Sequence, residues 1–213
     1  GNNLFNPALV GRAALLVAFP AQMTTWPKVG QTFAYLDAET GATPLSIMKQ
    51  AIKSGDASVL DRLPDFLSLF LGNHPDGAGA MGEICALALL LGLAYMLWKK
   101  IITWHIPVSI IVTVFVLAGL MHVVNPVYAD PVSVVLSGGL MLGAIFMATD
   151  YVTSPMTHRG QLIYGVAIGA LTVIIRNWGA YPEGMSFAIL IMNAFTPLIN
   201  NYVKPKRFGE VAK

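Results

Sequence analysis

Six windows of mainly apolar residues, near 7–23, 84–102, 106–124, 132–149, 161–176 and 184–203, recur through the chain. Nothing else in it narrows the fold so far, because a helix that crosses a bilayer needs about 20 such residues. The windows at 84–102, 106–124 and 161–176 are the clearest. The window at 132–149 holds Gly138, Gly139 and Gly143 and runs into Asp150, so a straight, a broken and a re-entrant helix all stay open. The window at 7–23 opens on Asn6-Pro7 and contains Arg12, which makes it a candidate for irregularity too. Only 11% of the 213 residues are charged, against about 25% in soluble domains. The mean hydropathy is +0.65. The expected fold is therefore all-α, a polytopic membrane protein of about six spans.

Orientation follows from the basic residues, which stay cytoplasmic in short loops. Lys99-Lys100, His158-Arg159 and Lys204, Lys206 and Arg207 all fall on one side if every window crosses once. The connectors 125–131 and 177–183 then lie outside and contain no Lys or Arg; Arg176, at the outer end of its span, is the exception nearby. The segment 24–83 is also outside, with four basic against seven acidic side chains, a net of −3. Four regions result: an irregular membrane segment at 1–23, an extracytoplasmic loop at 24–83, a helical membrane bundle at 84–203 and a cytoplasmic tail at 204–213. The opening residues show neither Met nor a signal-peptide layout, and an N-terminal part is expected to precede them.

Composition removes several functions. One Cys rules out a disulfide framework within the chain, and a Cys-ligated zinc or iron–sulfur site built by it alone. A formal charge of +2 does not suggest nucleic acid. There is no Walker loop, dinucleotide glycine fingerprint or nucleophile elbow, so any nicotinamide or ferredoxin chemistry falls to other chains.

The polar stretch DAETGATPLS, Asp37 to Ser46, stands out in the outer loop. Thr43-Pro44 reads as a helix start, because Thr suits the N-cap and Pro the first turn. Residues 44–53 then form a short amphipathic helix with Leu45, Met48, Ala51 and Ile52 on one face, and Gly55 is its stop. A helix N-terminus favours a phosphate, since free N–H groups and the dipole both point at it. Gly41 lets the backbone approach a bulky group closely. On spacing alone, Thr43 as a plain helix cap competes with Thr43 as a phosphate anchor.

Asp37-Ala-Glu-Thr40-Gly41-Ala42-Thr43 resembles the D-x-x-[S/T]-G-A-T signature at which a flavin transferase attaches FMN. The resemblance implies that Thr43 carries the FMN through a phosphoester, with Asp37, Thr40, Gly41 and Ala42 forming the rest of the motif. FNPALVGRA (5–13), GATPL (41–45), FLGN (70–73), MATDYVTSP (147–155), RNWGAYPEGMSFAILIMNAFTPLIN (176–200) and KPKRFG (204–209) are together similar to one family. It is the D subunit of Rnf electron-transport complexes and its relative, the B subunit of the sodium-translocating NADH:quinone reductase. Ile84-Cys85 and Asn200-Asn201 depart from the pattern, where small hydroxyl residues and an acid respectively are expected.

The resemblance implies a redox subunit of a prokaryotic cell membrane with covalent FMN towards the outside. Partner subunits would deliver electrons from ferredoxin or NADH, and the complex would move sodium ions or protons. It implies a fold like that of urea transporters, with inverted repeats, and leaves open a second, non-covalent flavin such as riboflavin. Partners would be other subunits of the complex, the transferase and membrane lipid. The equivalent quinone-reductase subunit and a non-redox transporter of the urea-transporter type are the alternatives.

Three charged residues bear two readings each. Arg12 helps to fix a flavin or a half-helix, or snorkels to the boundary. Asp150 lines an ion path, or caps the turn that follows with Thr149 and Thr153. Glu83 belongs to an ion path, or complements the dipole of the helix it precedes. Trp98, Trp104, Trp178 and Tyr181 fit an aromatic belt.

Overall fold

A computed structural model describes residues 3–28, 40–73, 78–80 and 82–204. The described residues are mostly helical and form no strand; backbone pairing is limited to two isolated bridges, Pro27 with Thr40 and Lys28 with Ala78.

The window at 7–23 resolves into two helices, α1 (Pro7–Ala18) and α2 (Pro20–Thr24). Asn6 caps α1 by accepting from the N–H groups of Ala8 and Leu9, and Pro7 occupies the first turn. Pro20 ends it, since proline lacks the N–H that would continue the ladder and restricts Phe19 before it. The segment 24–83 supplies α3 (Pro44–Ser54), a 3₁₀ turn (Ala57–Arg62) and α4 (Phe66–Leu71).

The bundle contains α5 (Ala86–Trp98), α6 (His105–Val124), α7 (Pro131–Leu136), α8 (Leu140–Leu142, continuing as a π-helical turn, Gly143–Met147), α9 (His158–Trp178) and α10 (Met185–Tyr202). The window at 132–149 is thus a broken helix. Ser137-Gly138-Gly139 interrupts it, with Gly138 at φ +66.

Among the described residues, two helices are long and apolar enough to cross a membrane, α6 and α9. The apolar helices α1 and α5 have 12 and 13 residues, and at about 1.5 Å per residue each falls short of the roughly 30 Å hydrocarbon core. The six apolar windows therefore do not become six equal helices. Of the tail 204–213, only Lys204 is described.

α6 and α9 pack closely because α9 offers glycines four residues apart. A Cβ at Gly165 would lie 1.8 Å from Ser109 Oγ, and one at Gly169 would lie 3.0 Å from the Ile110 carbonyl. Small residues at this spacing let helix backbones meet where apolar burial supplies no driving force. The core around them includes Ile110, Val114, Leu140, Ile145, Tyr164, Ile168 and Ile189. Asn193, with its amide turned to satisfy its neighbours, donates to Tyr164 Oη (2.7 Å) and the Ile189 carbonyl (3.2 Å). It also accepts from the Asn6 N–H (3.1 Å), tying α1 to the α9–α10 pair. The opposite face of α6 leaves Val112, Phe115, Val116, Leu120, Val123 and Val124 exposed, a surface suited to lipid.

Candidate functional site

Thr43 is the N-cap of α3. Its Oγ1 accepts from the Ser46 N–H (3.2 Å), Pro44 takes the first turn, and Gly55 ends the helix at φ +71. Leu45, Met48 and Ala51 are buried and Ile52 is half-buried, as the amphipathic spacing requires.

Backbone pairing fixes the turn ahead of Thr43. The Gly41 N–H donates to the Trp26 carbonyl (3.4 Å), and the Ala78 N–H donates to the Ala42 carbonyl (3.3 Å). Gly41 is needed for close approach: a Cβ there would stand 3.2 Å from Lys28 Cγ and 3.3 Å from Ala78 N. Thr40 and Ala42 are exposed beside it, and Asp37 lies outside the described residues.

Beneath this turn is a cavity of about 350 Å³. Thr43, Ser46 and Gly41 line it from the loop, Arg12 and Leu16 from α1, Ser137 and Gly138 from the helix break, and Tyr181 and Glu183 from the connector between α9 and α10. Glu83 and Trp26 complete the wall. Thr43, Gly41, Arg12 and Glu83, singled out separately in the sequence, thus share one cavity.

α3 is docked from two sides. Leu45 sits on the break, where a Cβ at Gly138 would come 2.2 Å from Leu45 Cδ1. Lys49 Nζ donates to the carbonyls of Arg176 (2.8 Å), Asn177 (3.3 Å) and Gly179 (2.5 Å). It thereby caps the C-terminus of α9 in trans, where a cation also suits the dipole.

The charges are arranged around the break. Arg12 Nη2 pairs with Glu183 Oε2 at 2.5 Å. Arg176, fully inside, donates from Nη1 to the Val134 carbonyl (2.8 Å) and from Nη2 to the Ser137 carbonyl (3.1 Å). Those are C-terminal carbonyls of α7, orphaned by the interruption. This is the role of the one arginine that departed from the expected charge asymmetry.

Glu83 and Glu183 converge over Gly139. A Cβ there would lie 2.8 Å from Glu83 Oε2 and 2.7 Å from Glu183 Oε1. Glu83 Oε2 and Ser137 Oγ are buried without a partner among the described residues. Burial, then the charge of Glu183, push the Glu83 carboxyl up to about 7, while Arg12 and Arg176 pull the other way.

The residues fit a flavin mononucleotide. The cavity volume is that of a small ligand site. Trp26, Tyr181, Leu16 and Leu69 offer apolar and aromatic wall, Arg12 and Ser46 offer donors, and Thr43 caps the first turn of an 11-residue helix.

Asp150 does not join this site. Its Oδ2 accepts from Thr153 Oγ1 (3.0 Å) and its carbonyl from the Ser154 N–H (3.1 Å), which is the turn-closing arrangement. Glu183, Lys49 and Ser137 were not anticipated. The signal for Glu183 was present, since a charge such as Arg12 in an apolar window needs a partner, and Glu183 immediately precedes the window at 184–203.

The NQR2, RnfD, RnfE family model matches residues 1–209. The chain is 44% identical over 214 residues to the D subunit of the proton-translocating ferredoxin:NAD(+) oxidoreductase complex of Clostridium ljungdahlii, covering 98% of this chain and 62% of that protein. It is 44% identical over 209 residues to the D subunit of the Na(+)-translocating ferredoxin:NAD(+) oxidoreductase complex of Acetobacterium woodii, covering 98% and 60%. It is 40% identical over 234 residues to the D subunit of the ion-translocating oxidoreductase complex of Stutzerimonas stutzeri, covering 100% and 65%. The chain therefore spans a little under two thirds of the length of these relatives. By a match that runs over residues 1–209, the chain belongs to the NQR2, RnfD, RnfE family.

Proposed function

We propose that this chain is a membrane flavoprotein subunit of an Rnf-type ion-translocating oxidoreductase, carrying FMN as a phosphoester on Thr43. One observation carries the reading: the last threonine of a complete attachment signature is the N-cap of α3 and opens onto a cavity of about 350 Å³ with aromatic, apolar and donor groups in its wall. The cap and the anchor are compatible roles of the same oxygen. Bound FMN supplies one-electron chemistry. The α3 N-terminus and Ser46 would hold its phosphate, and Trp26, Tyr181 and Arg12 in the cavity wall would hold the rest of the group.

Electrons pass between ferredoxin or NAD and this site through other subunits of the complex. The six apolar windows form the membrane part in a prokaryotic cell membrane, in an arrangement of the urea-transporter type. The Thr43 loop faces outside and the C-terminus the cytoplasm, and maturation requires a flavin transferase. Two equally similar relatives are named for a proton and for sodium, so overall similarity does not select the coupling ion. Glu83, in the cavity wall, is the stronger candidate for the ion path; Asp150 is engaged in its own turn.

Intact-mass and peptide mass spectrometry on the natively purified protein, beside Thr43→Ala, tests this reading. The expected result is a mass increment of one FMN less water on the Thr43 peptide, lost in the variant together with in-gel flavin fluorescence. An unmodified peptide from a host that contains the transferase would leave Thr43 as a helix cap and favour a non-redox transporter. Co-purification of an NADH-oxidising flavoprotein and quinone, in place of iron–sulfur subunits, would favour the quinone-reductase assignment.

A further inference from the structure

Four charged side chains from distant parts of the chain meet at the helix break, and three have defined partners or roles. Glu183 is paired with Arg12, and Arg176 is committed to the carbonyls of α7. Glu83 is different. Its Oε2 is buried with no partner among the described residues, it faces a second carboxyl over Gly139, and it forms part of the wall of the cavity onto which Thr43 opens. Burial and Glu183 disfavour an ionised carboxylate there, while Arg12, Arg176 and a backbone hydrogen bond at Ala80 favour it. The groups that face it are Arg12 from α1, Arg176 from α9 and Glu183 from the α9–α10 connector, with Tyr181, Ser137 and Thr43 lining the same cavity.

We propose that Glu83 is a redox-linked proton site, taking up one proton when the FMN on Thr43 gains one electron and releasing it when that electron leaves. The inference rests on the FMN reading above. The balance is simple. One electron arrives from a one-electron donor of the iron–sulfur class, one proton arrives from water, and the Glu83 carboxylate becomes a carboxylic acid. Oxidation reverses both transfers, and in every molecule whose Glu83 was ionised the cavity carries the same net charge before and after. The physical reason is Coulombic: an added negative charge in a low-dielectric cavity interacts strongly with every carboxylate in its wall.

Of the acids in the wall, Glu183 is ion-paired with Arg12 whereas Glu83 Oε2 has no partner among the described residues, so the proton goes to Glu83. Burial and the Glu183 charge already hold the Glu83 carboxyl near 7, where a small added negative potential changes its occupancy at neutral pH. Ser137 Oγ, buried in the same wall without a partner among the described residues, is a hydroxyl available to a water or to the carboxyl itself.

Redox-induced infrared difference spectroscopy tests the proposal. The sample is the complete natural subunit in its purified complex in lipid nanodiscs, poised electrochemically. Reduction should produce a band in the protonated-carboxyl C=O region that shifts in D₂O. Glu83→Gln should abolish it. Glu183→Gln removes the neighbouring negative charge and frees Arg12 for Glu83, so it should move the band's pH dependence to lower pH and weaken the band at neutral pH. This second variant answers the question if Glu83→Gln does not fold. FMN on the Thr43 peptide, with a band that neither variant alters or with no band at all, overturns this inference alone. Absence of FMN from that peptide overturns both this inference and the reading beneath it, and the same sample's mass spectrum tells the two failures apart.

Discussion

The α6–α9 pair and the interrupted α7–α8 segment lie side by side in the bundle and satisfy their backbones by opposite means. α6 and α9 are continuous, so each N–H and C=O inside them finds its partner four residues away, and association needs only the small residues that bring the axes together. The α7–α8 segment stops at Ser137-Gly138-Gly139. There the orphaned carbonyls of Val134 and Ser137 are met by Arg176, a side chain from α9. Unpaired backbone groups are costly in an apolar setting, and non-helical backbone is tolerated there where protein encloses it or a cavity adjoins it. The cost of the interruption is thus transferred to a buried arginine, and the cavity appears where the helix does not continue. Regular helix builds the frame here, and irregular helix makes room for chemistry.

The largest effect that would break this contrast is Arg176→Leu. It strands two buried carbonyls and removes the cation facing Glu83 and Glu183, and should cost about 3 kcal/mol or more. Thermal unfolding in lipid or detergent measures it; an unchanged midpoint would mean that the break is satisfied some other way. Gly165→Ala attacks the continuous pair instead. Its Cβ would collide with Ser109 Oγ at 1.8 Å and crowd the Ile106 carbonyl at 3.1 Å, and overpacking of this kind costs about 1–3 kcal/mol. The midpoint should fall while the mass of the Thr43 peptide, from protein that still folds, stays that of the wild type, which separates frame from site.

Lys49→Met removes the trans cap on α9 and leaves three carbonyls without their cation, at about 1–2 kcal/mol. Because Lys49 also holds α3 in place, proteolytic cleavage within α3 should change more than the unfolding midpoint does. The effect of Glu83→Gln on stability depends on pH and is read as a profile rather than at one pH. The folded carboxyl sits near 7 against an ordinary 4.5, so the fold favours its neutral form. That contribution is complete below about 4.5, declines as pH rises towards 7 and is absent above it. The wild-type midpoint should therefore fall across that window relative to Glu83→Gln; parallel pH profiles would show that Glu83 is ionised throughout.

Much of the segment around Thr43 was legible because its signals are local. Thr43, Pro44 and Gly55 act through caps whose partners lie within four residues, and Leu45, Met48 and Ala51 recur at the helical period whatever they face. The windows that became α6 and α9 were legible for the same reason. The window at 7–23 was less so: Pro7 and Arg12 marked irregularity, but not that the chain would restart at Pro20 as a second helix. Glycines at 138 and 139 flagged the broken helix without choosing among its three possible forms.

By itself, the sequence determined which segments prefer an apolar surrounding, where α3 begins and ends, and which threonine completes the attachment signature. Those outcomes depend on hydrophobic length and on contacts within a turn. Only the tertiary structure decided that Arg12 meets Glu183, 171 residues away, that Arg176 closes the end of α7, and that Glu83 lies in the same wall as Thr43. Such pairings have no local period or spacing. They arise when the broken helix, α1 and the α9–α10 connector pack together, and burial at that junction gives Glu83 a proton affinity that nothing around it in the chain would predict.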